Sequence, residues 1–295
     1  MNDRHLPLVE IYRSHQAANC AQRAFVLHAV GIPSETARHE NIFVLLVSEY
    51  RAAEAREQLE RYEAESPAPT APPAHMRPHA WVAPLLLVAA VIVAGHSADT
   101  LAFGADWYDI GALHSRVMQS GEWWRLLTAL TLHADVAHLL GNVVFGVFFT
   151  FVAAQLVGSG VAWCGIVFTA ALGNLVDSQL MPVAQTSIGA STAVFAALGL
   201  ISGYAWRHRH DARLKWAHRS APLVAGIVLL GLIGAGGEHT DVLAHLAGFA
   251  CGTVCGITLA SCERALDRAK LQWLAGAVAS VAMTGAWIWA LVIAR

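Results

Sequence analysis

The sequence predicts an all-α polytopic membrane protein with a small α+β domain at its N-terminus. Three observations predict it. Of 295 residues, 56% are hydrophobic and only 14% are charged, whereas soluble domains average about 25% charged. Seven apolar stretches, near 80–97, 138–158, 160–178, 190–206, 221–237, 240–260 and 272–293, approach the roughly 20 residues that cross a bilayer core. The first 64 residues have a different character: strand-like and helix-like patterns alternate there, and a proline-rich break follows. Mean hydropathy is +0.48. A net charge of −2 gives no electrostatic reason to expect nucleic-acid binding.

Residues 1–64 read as a miniature cytosolic domain in the order β-α-β-α. Leu8-Val9-Glu10-Ile11-Tyr12 alternates like a strand, and 15–30 reads as a helix ended by Gly31 and Pro33. Asn41 to Ser48 is a second strand, with a further short strand near 35–40. Residues 51–64 are a charged helix in which Glu57 precedes Arg61 by one turn. The domain carries no chemical motif, so a binding, regulatory or purely stabilising role stays open. Residues 65–79, with Pro67, Pro69, Pro72 and Pro73, form an extended, semi-stiff linker.

Loop charges orient the spans. Arg207, Arg209, Arg213, Lys215 and Arg219 separate the fourth and fifth, and Arg264, Arg268 and Lys270 separate the sixth and seventh. Positively charged loops stay on the cytoplasmic side. Counting from them puts the N-terminus in the cytosol and Arg295 outside, in a multi-pass protein of the cell (inner) membrane. The N-terminus lacks a signal-peptide pattern. The first outer loop, about 98–137, holds Phe103, Trp107, Tyr108, Trp123 and Trp124. Such aromatic side chains favour the headgroup zone, which predicts a loop lying partly in the outer leaflet. None of the five cysteines falls in an outer loop, so no disulfide framework is implied. Cys251 and Cys255 are one helical turn apart, a spacing that suits packing more often than metal ligation.

Polar groups inside apolar spans are costly and are functional candidates by default. Ser191 lies 16 residues before Arg207, or about 24 Å above the inner face at 1.5 Å per residue. His245 lies 17 residues before Cys262 and Asn142 lies 16 before Gly158, which brings both to about the same level, with His138 one turn higher. Small residues repeat along two of these helices: Ala244, Gly248, Gly252 and Gly256, and Gly199 and Gly203. Such stripes let membrane helices pack backbone to backbone. A serine hydroxyl needs a base to become a nucleophile, and a neutral imidazole is suited to that work. Asn142, His138 and the Ser191 backbone N–H are candidate donors to a tetrahedral oxyanion. Asp241, one turn before His245, is a weaker candidate for a third member. Taken singly, a membrane serine usually back-bonds to its own helix, and a lone histidine equally fits a proton relay or a metal ligand.

In combination these residues resemble the rhomboid family of intramembrane serine proteases, over about 80–262. Trp124-Arg125 resembles the family's Trp-Arg pair in the first loop. His133-Ala134-Asp135-Val136-Ala137-His138-Leu139-Leu140-Gly141-Asn142 resembles its His-x4-His-x3-Asn element. Gly189-Ala190-Ser191 and Ala244-His245-Leu246-Ala247-Gly248-Phe249-Ala250-Cys251-Gly252 resemble its nucleophile and base elements. The resemblance implies a six-helix core at 80–262, Ser191 as nucleophile, His245 as base, and His138 and Asn142 as oxyanion donors. It implies that Phe195 stacks on His245. The implied substrates are single-pass membrane proteins in the lipid bilayer, cut in or near their transmembrane helix, with no metal, nucleotide or other cofactor. His133 is either a polar group of the site or a structural tie for the first loop, with the tie favoured.

Two features depart from the family pattern. Thr192 stands where the family usually has glycine, and is expected to crowd the oxyanion region. Residues 263–295 add a cytosolic loop and a seventh helix beyond the core. Two other readings are carried: a catalytically inactive relative that binds membrane helices, and a transporter or metal carrier using His133, His138 and His245. Retention of both Ser191 and His245 argues against the first. The spans show no coupling-ion pattern of acidic residues and no inverted repeat, which argues against the second.

Overall fold

A computed structural model describes residues 7–39, 42–65, 77, 79–183, 185–208, 216–234 and 241–293. Most of the expected linker, the basic loop between the fourth and fifth spans, and Arg295 lie outside the described residues. The chain divides into two compact units, Met1–His75 and Met76–Arg295.

The first unit has the order β1 (Leu8–Ser14), α1 (Ala17–Ala29), β2 (Ser34–His39), β3 (Ile42–Ser48), α2 (Ala52–Glu65). All three strands are antiparallel, with β3 in the centre between β1 and β2. Leu45 and Val47 of β3 alternate onto the face that also buries Leu27, Ile32, Ala55 and Leu59, the period of two expected of a half-buried strand. Gly31 ends α1 in the left-handed region, φ +73°, where a side chain would be strained. Glu57 and Arg61 form the expected pair, 3.1 Å apart and exposed, worth a few tenths of a kcal/mol at best.

The second unit is helical: α3 (Val82–Asp99), α4 (Trp107–Gly111), α5 (Arg125–Thr128), α6 (Val136–Val157), α7 (Ser159–Leu180), α8 (Ser191–His208), α9 (Trp216–Gly234), α10 (Val242–Ala260), α11 (Glu263–Leu266) and α12 (Ala269–Ile293). Two residue pairs, β4 (Leu113–His114) and β5 (Thr186–Ser187), form a short antiparallel ribbon. Among the described residues, α3, α6, α7, α10 and α12 are long and apolar enough to cross a membrane. The expected fourth span is α8, whose 18 residues include the polar Ser191, Thr192, Arg207 and His208. In the expected fifth, the described apolar stretch is Ser220–Leu232.

Helices α8 and α10 run parallel and nearly touch along their backbones. A Cβ added at Gly248 would stand 2.6 Å from the Thr192 carbonyl, and one added at Gly252 or Gly256 would strike the carbonyls of Ala196 or Leu200. From the other side, side chains at Gly199 and Gly203 would strike Phe249 and Thr253. The small-residue stripes of the sequence are therefore the two halves of one seam. Helix α7 crosses α10 just as closely, with Gly173 against the Gly248 backbone.

Helix α12 is stapled to the rest of the unit at both ends. Near its start, the Gln272 side-chain amide donates to the carbonyls of Val157 and Leu266 and accepts from the Val161 N–H. Near its other end, Trp287 lies 4.3 Å from Trp107, ring to ring, and donates to the Thr131 hydroxyl. The two arrangements satisfy backbone groups at the α6–α7 turn and anchor the loop between α3 and α6.

Candidate active site

The loop between α3 and α6 is built around the exposed carbonyls at the end of α4. Four successive carbonyls have no helical partner there, and three side chains meet them. Arg125 donates to Asp109 and Ala112, the Trp124 ring N–H to Ile110, and the Thr128 hydroxyl to Gly111. Arg125 also pairs with Glu122 at 2.8 Å. Burial pushes the Glu122 carboxyl up, but the Arg125 hydrogen bond and charge, the Ser120 hydroxyl and His114 together hold it below the usual carboxylate range. Trp124 and Arg125 thus act as a staple within the loop. Trp107 and Trp124 are buried in the protein, whereas Phe103 and Trp123 are exposed, so only part of the aromatic set is available to a lipid surface.

This loop holds the segment that leads into Ser191. Leu113 and His114 pair with Ser187 and Thr186, and the Gly189 N–H donates to the Ala129 carbonyl at 2.9 Å. Gly189 has φ +136° and opens α8 through Ala190, so that Ser191 is the first helical residue. A Cβ on Gly189 would lie 2.8 Å from the His138 ring and 3.4 Å from the Ser191 hydroxyl. Only glycine fits both that conformation and that gap, and His138 and Ser191 are thereby neighbours on either side of it.

His133 is a link between loops. Its Nε2 accepts from the Ala190 N–H at 3.4 Å, its carbonyl accepts from the Tyr108 hydroxyl at 2.8 Å, and its ring hydrogen-bonds the Thr131 backbone. Its ring centre is 5.1 Å from that of His138. Burial, and then the neighbouring His138, lower its pKa to about 4, so the ring is neutral and can accept at Nε2.

His138 and Asn142 lie one turn apart on α6, whose start is capped by the Asp135 carboxylate on the His138 N–H. Asn142 is buried, and its amide nitrogen has no partner among the described residues. A buried amide donor left open is a group awaiting an acceptor. His245 is buried in the first turn of α10 beside Ala244, and its ring centre is 4.5 Å from that of Phe195. Phe195 is one turn beyond Ser191 on α8. The α8–α10 register pairs Thr192 with Gly248, so His245 enters about level with the Gly189–Ser191 turn.

Thr192 departs from its expected placement. Its methyl group points into the junction of α7 and α10, 3.0 Å from where a Cβ of either Gly173 or Gly248 would be. Two glycines make the room that the threonine fills. The sequence reading also passes over Asp177, which is fully buried near the C-terminal end of α7 with neither carboxylate oxygen hydrogen-bonded to a donor. An aspartate inside an apolar span is itself the signal that marks it.

Residues 120–262 match the family model of the rhomboid domain. Over those residues the chain is a rhomboid-family protein. It is similar to Rhomboid-like protease 1 of Toxoplasma gondii, 30% identical over 152 residues that cover 50% of each chain. RHOMBOID-like protein 1 of Arabidopsis thaliana is 32% identical over 154 residues, 50% of this chain and 37% of that one. Rhomboid protease GluP of Bacillus subtilis is 32% identical over 91 residues, 31% and 18% of the two chains. The chain spans about half the length of the first curated relatives it matches. The rhomboid match begins just before Glu122 and ends at Cys262, so it takes in the Trp124-Arg125 staple and every residue of the candidate site, while α3, α12 and the N-terminal unit lie outside it.

Proposed function

We propose that this chain is an intramembrane serine endopeptidase that cuts single-pass membrane proteins in or near their transmembrane helix. The observation that carries the reading is the meeting of three elements at one point. The Gly189 turn sets the Ser191 hydroxyl beside the His138 ring, and the Phe195 ring packs against His245 one turn below. In this reading Ser191 attacks the scissile carbonyl, and His245 takes its proton and returns it to the leaving amine. His138, the Asn142 amide and the Ser191 backbone N–H receive the oxyanion. The open Asn142 donor supports that role.

The remaining assignments belong to the same proposal. Gly189, Gly199, Ala244, Gly248 and Gly252 let the helices close on the dyad. Trp124, Arg125 and His133 hold the loop beside it. Residues 1–64 are a cytosolic accessory domain joined by the 65–79 linker, 80–262 are the protease core, and 263–295 add the last loop and helix. The protein lies in the cell (inner) membrane with its N-terminus in the cytosol and its C-terminus outside.

The test is purified protein in liposomes with a labelled single-pass substrate whose helix contains glycine and other helix-weakening residues, alongside labelling by a fluorophosphonate. Cleavage and labelling by the parent, both lost in Ser191→Ala and His245→Ala, are expected. Labelling that survives Ser191→Ala would remove Ser191 from the role of nucleophile. Absence of both reactions in folded parent protein would favour an inactive helix-binding relative.

A further inference from the structure

Buried Asp177 and half-buried Asp241 form an acid pair beside the candidate base. Asp177 sits on α7, one turn outward of Gly173, and the Gly173–Gly248 contact fixes the antiparallel register of α7 and α10. That register brings Asp177 opposite the start of α10, where Asp241 is the N-cap. The two carboxyl groups lie close enough to interact. Both Asp177 oxygens and Asp241 Oδ2 are buried and receive no hydrogen from any donor group. Two ionised carboxylates accept hydrogen bonds and have none to give, so contact between them requires a proton.

The chemistry indicates which side holds it. Asp241 Oδ1 accepts from the Ala244 N–H at 3.0 Å, at a helix N-terminus. That contact uses Asp241 as an acceptor. Asp177 has no donor to stabilise a charge and is fully buried, so it is the member that donates. The Asp241 backbone carbonyl also accepts from the His245 N–H at 3.2 Å. Asp241 therefore holds the backbone of both Ala244 and His245, and Asp177 is what holds Asp241. Helix α7 is in turn fixed to the first loop, through the Asn174 amide on the Leu126 carbonyl and the Arg116 N–H on the Ser178 carbonyl.

We infer that Asp177 is a positioning residue for His245: it shares one proton with the Asp241 carboxylate and so ties the first turn of α10 to α7. The inference rests on the reading of Ser191 and His245 as a dyad. It adds a proton-dependent brace. With the proton present, the two carboxyls attract; once it is lost, two negative charges face each other at the start of the base helix. The other ionisable groups near this end of the elements packed against α7 are His96 and Asp99 of α3, His114 of β4, Arg125 of α5, His138 of α6 and His245 itself. Arg125 is committed to Glu122 and two carbonyls.

The experiment compares the full chain with Asp177→Asn and Asp177→Leu in a detergent free of ester groups. Infrared spectra read the C=O band of a protonated carboxyl group, and the rate of fluorophosphonate labelling is followed across pH. Asparagine has the aspartate's shape and carries a permanent N–H donor, so Asp177→Asn is expected to label at the parent's rate near neutral pH. It should lose the parent's fall in rate at alkaline pH and lack one protonated-carboxyl band. Asp177→Leu leaves Asp241 without a donor and is expected to label about 10²-fold more slowly, as for a misplaced catalytic group. Identical infrared bands in parent and Asp177→Asn would overturn the shared proton. Superimposable pH profiles, or an Asp177→Leu that labels like the parent, would overturn the positioning role. An Asp177-dependent band with no serine labelling in any variant would sink the dyad reading while leaving the acid pair in place.

Discussion

The Thr192 methyl group is seated against Gly248, 3.0 Å from the point where a Cβ on that glycine would stand. The contact joins the residue after the candidate nucleophile to the helix of the candidate base. It makes Thr192 a packing residue whose methyl group fills the junction of α7 and α10.

Thr192→Gly is therefore expected to leave fluorophosphonate labelling no faster than in the parent, and to lower stability. The change removes buried methyl contacts and adds glycine's backbone entropy, about 1–3 kcal/mol together. Thermal unfolding in micelles reads the loss. A variant that labels severalfold faster at unchanged stability would restore the crowding interpretation.

His133 predicts how stability depends on pH. Its pKa is about 4 in the folded protein and near 6.5 in an unfolded chain. Between those values the unfolded chain binds the extra proton, so stability is highest above pH 6.5 and declines as pH falls toward about 4. The difference amounts to about 3 kcal/mol at most for this group. Protonation also removes the Nε2 acceptor from the Ala190 N–H, so the turn before Ser191 should loosen over the same range. His133→Gln should flatten that part of the stability profile. An unchanged slope would assign the pH dependence to other groups.

Arg125 predicts that charge alone will not hold the first loop. Its guanidinium reaches two carbonyls and one carboxylate in fixed directions. A lysine ammonium lacks that planar fork. Arg125→Lys should cost about 3 kcal/mol, the scale of one or two lost charge-assisted hydrogen bonds, and should slow cleavage by loosening the Gly189 turn through β4 and β5. Equal melting temperatures for Arg125→Lys and the parent would show that the fork is dispensable.

Much of this arrangement is legible in the sequence because it depends on local periodicity. The β-α-β-β-α order of the first unit follows from alternation and from breakers such as Gly31, and the α8–α10 seam follows from glycines four apart. The expectation that Ser191, His245 and Asn142 share one level rests on helix rise alone. Other features depend on side-chain direction across long separations. The Thr192 methyl is positioned by two glycines on different helices, Gly173 and Gly248. Trp287 donates to Thr131 across 156 residues of sequence. Neither relationship leaves a periodic trace. Asp177 differs from both, since its residue type alone marks it, but its partner Asp241 emerges only from the α7–α10 register.

The last helix supplies the remaining prediction. By sequence α12 reads as an appendage to a six-helix core, yet Gln272 serves three backbone groups, at Val157, Leu266 and Val161. Gln272→Leu keeps the approximate volume and removes all of its hydrogen-bonding capacity. Each buried backbone group left without a partner costs about 1–3 kcal/mol, and water near the α6–α7 turn can recover part of that. The expected result is a melting temperature lowered by several degrees, with Ser191 labelling at low temperature close to the parent's because the site lies at the far end of α7. Removing the Trp287 contact should do the opposite. Trp287→Leu takes away the donor to Thr131 and the ring against Trp107, both in the loop that carries His133, so labelling should fall even where the protein remains folded. If the two variants behave alike in both assays, α12 acts as one uniform brace. A split between stability at Gln272 and reactivity at Trp287 would mean that its two ends do different work.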